Sequence, residues 1–123
     1  LYDKITLIPY TSNVSHYLRN SNLFLNGSFV EGFPNVFLES CAVGTPVISF
    51  DSPGGINEII LEGINGHIVN SEKKYIQKLN EINKNYTFKP DVVNNSVVSR
   101  YSKEHIISKY QNLFESLAKN KTK

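Results

Sequence analysis

The sequence predicts an α/β fold, a parallel sheet with helices on both faces, and three observations carry that prediction. Short β-branched and apolar segments alternate with helix-period patterns along the 123 residues. No Asn-Gly turn joins two adjacent strand segments, so each strand is expected to return through a crossover and not a hairpin. The segment VISFD is apolar without alternation, as a strand covered on both faces is. Together these indicate βαβ units in a Rossmann-like arrangement.

The elements follow in order. Lys4 to Pro9 (KITLIP) is β-branched and short, and reads as a first strand ended by Pro9. Ser12 or Asn13 caps a short helix whose Val14, Tyr17 and Leu18 share one face and which ends near Asn20 to Asn22. LFLNGS, from Leu23, is a second strand running into a polar turn. Pro34 suits the first position of a helix, where a missing N–H costs nothing; residues 36–43 hold no breaker, and Gly44 supplies the terminus. Thr45-Pro46 leads into VISFD, the third strand; DSPGG turns the chain, INEIILEG forms a short helix, and Asn65-Gly66 turns into HIV, the fourth strand. Residues 72–85 form a charged helix with Tyr75, Ile76, Leu79 and Ile82 inward, and residues 86–101 read as irregular and polar. After Ser102 as cap, Ile106, Ile107, Tyr110, Leu113, Phe114 and Leu117 make a wide apolar stripe on a final surface helix.

Composition bounds the function. The length suits one domain over residues 1–123, and 40% hydrophobic residues supply a core. No apolar run approaches the roughly 20 residues that span a bilayer, and residues 1–20 lack the pattern of a secretion signal. Cys41 is the only cysteine, which excludes an intramolecular disulfide and a cysteine metal cluster and suits a reducing, cytoplasmic compartment. The net charge of +2 hides an asymmetry: residues 1–60 hold two basic and five acidic side chains, residues 61–123 eleven and six. The lysines of the second half are interspersed with acids, the pattern of a solvated face; no nucleic-acid partner is indicated, and attraction to an anionic membrane surface is the lesser reading.

The stretch EGFPNVFLE, residues 31–39, carries the most chemistry. In open α/β sheets ligands bind beyond the carboxyl ends of the strands, where the loops 28–33 and 52–55 are expected. A helix starting at Pro34 points free N–H groups at that edge; those of Asn35 and Val36, with Phe33 before the proline, suit a phosphate or another anion. Glu31 in the loop and Glu39 more than a turn into the helix would bracket it. A carboxylate accepts two hydroxyl hydrogen bonds, which is what a vicinal diol offers. Two carboxylates around a helix N-terminus therefore suit a diphosphate with a sugar at each end. Asp51 and Ser52 are read equally as ligand edge or turn. His16, His67 and His105 have no metal spacing, and Cys41 falls on the inward helix face as a small buried hydrophobe.

EGFPNVFLES, followed by AVGTPVISFDSPGGINEII and EGINGHIV, resembles the C-terminal, donor-binding domain of the retaining GT-B glycosyltransferases of family 4, whose signature is two glutamates separated by seven residues. The combined motifs span residues 28–69, and the flanks are similar to the family's pattern. The resemblance implies that Glu31 contacts the donor sugar, in the catalytic site, and that Gly32, Phe33, Asn35 and Val36 bring backbone to the sugar and its phosphates. It further implies that Glu39 holds the ribose and that Gly54 and Gly55 form a loop near the donor pocket, with Glu58 capping or bracing it. The implied reaction is retaining transfer from a nucleotide diphosphate sugar, a uridine diphosphate sugar, to a polysaccharide, lipopolysaccharide or glycolipid. No cofactor and no metal are implied. The family's arginine and lysine pair for the leaving diphosphate has no match, Lys4 and Arg19 being poor substitutes. The expectation is thus a partial donor domain, inactive alone, whose acceptor is met through a missing N-terminal domain at the inner face of a membrane, where the protein associates peripherally. The alternatives are a non-catalytic nucleotide-sugar-binding or interaction module and, less favoured, a GT-B sugar-nucleotide epimerase.

Overall fold

A computed structural model describes residues 2–120. Strands β1 (Phe24–Asn26), β2 (Val47–Phe50) and β3 (Gly66–Val69) form one parallel sheet in that order. The helices are α1 (Val14–Arg19), α2 (Asn35–Ala42), α3 (Ile56–Ile59), α4 (Glu72–Lys84), α5 (Pro90–Tyr101) and α6 (Lys103–Asn120). The α/β expectation with a parallel sheet holds.

Register fixes which helix covers which face. Phe24 pairs with Val47 and meets Phe37 of α2 edge-on, ring centroids 6.0 Å apart. Phe50 lies three residues beyond Val47, hence on the opposite face, and meets Tyr75 of α4 at 4.9 Å. The sheet is therefore a layer between α2 and α4. Its core is Phe37, Cys41, Val47, Ile48, Ile56, Ile59 and Val93, all fully buried. Two buried polar side chains lock the helices to it without leaving an unpaired group. Thr45 Oγ1 donates to the Leu18 carbonyl at 2.6 Å, holding α1. Asn65 donates to the Ile59 carbonyl at 3.1 Å and to Ser96 Oγ at 2.8 Å and accepts from the Leu61 amide at 2.7 Å, joining α3 to α5.

Five expectations are corrected. Lys4 to Pro9 is not a strand: three strands stand among the described residues instead of four, because this segment joins no ladder among the described residues and Leu7 stays 90% exposed. Strand propensity without a partner for the ladder forms nothing. Pro34 is the N-cap, and the helix begins at Asn35. The short helix of INEIILEG is one turn only, since Ile60 is extended. Ile76 is exposed, because Tyr75, Leu79 and Ile82 at i, i+4 and i+7 already fill the inward stripe and Ile76 falls to one side. Residues 90–101 are helical: Pro90 stands at the first position, and Val93, Ser96 and Val97 are buried at i, i+3 and i+4. Three β-branched or hydroxyl residues hid that stripe.

Ser102 Oγ accepts from the His105 amide at 3.4 Å and opens α6, as expected. The α6 stripe is largely uncovered, with Tyr110, Leu113, Phe114 and Leu117 all exposed. No helix among the described residues is long and apolar enough to cross a membrane.

Candidate functional site

The loops leaving β1 and β2 emerge at the carboxyl ends of adjacent parallel strands and are tied together by backbone. The Gly55 amide donates to the Gly32 carbonyl at 2.8 Å, and the Glu31 amide to the Pro53 carbonyl at 3.3 Å. Close approach explains the glycines. Gly54 has φ +125°, and a Cβ there would collide with the carbonyl oxygens of Gly32 and Glu31. A Cβ on Gly55 would collide with the Phe33 ring, which in turn faces Tyr101 at 6.1 Å. Phe33 is thus half exposed yet wedged between the second loop and α5.

Glu31 is half-buried, and its Oε1 accepts from the Asn26 side-chain amide at 3.2 Å. The same nitrogen donates to Ser49 Oγ at 3.2 Å, and the Ser49 hydroxyl donates to the Phe50 carbonyl at 3.0 Å. Three residues further on, buried Pro34 caps α2 with no side-chain hydrogen bond, and the Phe37 amide closes the first turn on the Pro34 carbonyl at 2.9 Å. The backbone amides of Phe33, Asn35 and Val36 donate to no acceptor among the described residues. Free N–H groups at a helix start carry partial positive charge and suit an anion. Val36 packs its side chain against the core. Asn35 and Glu39 are both exposed and four residues apart, so they share the solvent face of α2. The arrangement can hold an anion at the helix end, with one hydrogen-bonded carboxylate beside it and one exposed carboxylate further along α2.

Other candidates are placed as follows. Glu58 braces α3 through its backbone, not its carboxylate: its carbonyl accepts from Arg100 Nη1 at 2.6 Å and from the Tyr101 hydroxyl at 2.9 Å, and Arg100 Nη2 reaches the Ile59 carbonyl at 2.8 Å. Asp51 is exposed, whereas Ser52 is buried and its Oγ has no hydrogen-bond partner among the described residues. Cys41 is fully buried, and burial pushes its thiol up to about 12, against a smaller opposing pull from Arg100. No group of three His, Cys, Asp or Glu side chains among the described residues could hold a metal. A cleft of about 380 Å³ lined by Asp51, Asn70, Lys74, Gln77, Lys78 and Glu81 opens beside α4 and meets the motif loops only at Asp51.

Asn26 and Ser49 escaped the sequence reading. Each is a polar residue in a strand read for its apolar neighbours, and only the register Asn26 with Ser49 puts them side by side. Phe29 also escaped it: its exposed ring stacks on Phe50 at 4.8 Å beside the same loop.

Comparison with known proteins fits this geometry. The family model for glycosyl transferases group 1 matches residues 1–105. The Vi polysaccharide biosynthesis protein VipC/TviE of Salmonella typhi is 27% identical over 118 residues, covering 89% of this chain; the chain spans only 20% of that protein's length. Among solved structures, TarM superposes with a TM-score of 0.79 over 93% of this chain and 24% of its own, at 24% identity. Anabaena Alr3699/HepE in complex with UDP superposes with a TM-score of 0.68 over 89% of this chain and 30% of its own, at 18% identity. These likenesses establish the GT-B glycosyltransferase fold for the part of it present here.

Proposed function

The chain belongs to the glycosyl transferases group 1 family, and on that premise we propose that it is the donor-binding part of a retaining glycosyltransferase of family 4. The observation that carries this reading is the uncapped start of α2, with the amides of Phe33, Asn35 and Val36 unspent, next to the Glu31 carboxylate at the ligand edge of a parallel sheet. In the reading, those amides hold the donor diphosphate and offset the charge that develops on it as it leaves. Glu31 accepts hydroxyls of the transferred sugar through its remaining lone pairs, with Gly32 bringing backbone close to the sugar. Glu39 holds the ribose diol from the open face of α2. Gly54 and Gly55 keep the second loop closed against the first.

A uridine diphosphate sugar is the proposed donor; the structure of HepE with UDP supports that choice at the level of fold. The proposed acceptor is a cell-envelope polysaccharide or related glycan, in line with the similarity to a polysaccharide biosynthesis protein. The work is proposed to occur in the cytoplasm, at the membrane's inner face.

The test is an NMR titration of the chain with UDP and then UDP-N-acetylglucosamine, following the amides of residues 31–39 and 52–58. Shifts confined to those two segments, with GDP and ADP weaker, are expected. A folded sample whose amides there ignore every nucleotide would overturn the reading.

A further inference from the structure

We infer that Asn26 is a positioning residue for the sugar end of the donor, acting through Glu31; the inference rests on the reading of Glu31 given above. An ionised carboxylate only accepts, so the face of the Asn26 amide turned toward Glu31 must be its NH2 group. The second N–H of that group goes to Ser49 Oγ, and the fully buried Ser49 hydroxyl in turn donates a hydrogen bond to the Phe50 carbonyl. Both amide protons are therefore committed. The Asn26 backbone is held as well, because the Tyr75 hydroxyl lies 3.2 Å from its carbonyl and 3.0 Å from that of Ile48.

The result is a relay anchored in the central strand β2 that ends on Oε1 of Glu31. Oε2 of Glu31 is left for a ligand. Without the relay, Glu31 would sit on a loop with several free rotamers, and a carboxylate free to turn toward solvent loses ordering entropy each time it meets a hydroxyl pair. With it, one oxygen is fixed and the other is presented in one place. The pair belongs to the sugar side of the site in the reading above, and no hydrogen bond among the described residues ties it to the helix-end amides proposed to hold the diphosphate.

The measurement is the ratio of affinities for UDP-N-acetylglucosamine and UDP, by titration of the full chain and its variants. Asn26→Leu, which keeps the volume and removes both N–H groups, is expected to lower that ratio about tenfold, the scale of one hydrogen bond to a charged group. Glu31→Gln lowers it by at least as much. The double variant Asn26→Leu with Glu31→Gln does no worse than Glu31→Gln alone, because one residue works through the other. Ser49→Ala, which frees the Asn26 amide without touching Glu31, lowers the ratio less, and stands in if Asn26→Leu fails to fold. A purely structural role would weaken both ligands together and leave the ratio unchanged. A full ratio in folded Asn26→Leu or, where that variant is unfolded, in Ser49→Ala, or losses that multiply in the double variant, would overturn the inference while leaving Glu31 in place. A Glu31→Gln chain with an unaltered ratio would instead remove the reading beneath it.

Discussion

Glu31 and Glu39 share a motif but not an environment. Glu31 is half-buried and tethered, Glu39 exposed and unpaired by any described side chain. Their substitutions should therefore read differently. Glu39→Ala is expected to weaken UDP and UDP-N-acetylglucosamine alike by several-fold, through loss of the ribose contact; retained affinity for free UDP would count against that role. Glu31→Ala is expected to weaken the nucleotide sugar by about tenfold or more and free UDP much less. Cys41 gives a residue-scale prediction of another kind. Its thiol, raised to about 12 from 9.0 by burial, stays neutral in the folded chain while the unfolded chain ionises from pH about 9 upward. Folding stability then falls as pH rises above 9, by up to about 1.4 kcal/mol per pH unit from this group. Urea unfolding at pH 8 and pH 10 should show a smaller drop for Cys41→Ala than for the parent chain. The same burial makes native alkylation of Cys41 slow.

At the scale of elements, the site is two loops joined by backbone, and Gly54 is where that joint admits no side chain. Gly54→Ala sets a Cβ against two carbonyl oxygens in a backbone region foreign to L-residues, and should cost about 1–3 kcal/mol while disturbing the amides of both loops together. Shifts limited to the loop carrying the substitution would mean that the two are not mechanically joined. The loops and α2 were legible because their signals are local: a proline before a helix, glycines at turns, an apolar strand between. The helix α5 was not, because its buried positions are Val93, Ser96 and Val97, residues of poor helix propensity or mixed polarity whose burial comes from docking on α2. Asn94 strengthens that docking by donating to the Ala42 carbonyl at 2.6 Å. Lys4 to Pro9 failed in the opposite sense, as strong local propensity with no ladder partner among the described residues. The relay through Asn26 and Ser49 depended on a strand register, which no local pattern encodes.

At the scale of the whole molecule, the apolar side chains of α6 stand apart from the core. Phe114 is 63% exposed, so Phe114→Ser should change stability by no more than about 0.5 kcal/mol. A larger loss in thermal unfolding, with a dependence on chain concentration, would show that copies of the chain cover the stripe in solution. The fold class, the motif loops and the final helix could thus be read from the sequence, while the helix over residues 90–101 and the count of strands required tertiary contacts. The order of the sheet has one more consequence. Its strands lie side by side in the order in which they occur along the chain, with β2 in the centre and the parallel crossovers formed by residues 27–46 and 51–65. A nascent chain leaving the ribosome can therefore add each strand to the one just made, so that both loops of the site can be joined across the β1–β2 pair before α5 and α6 exist.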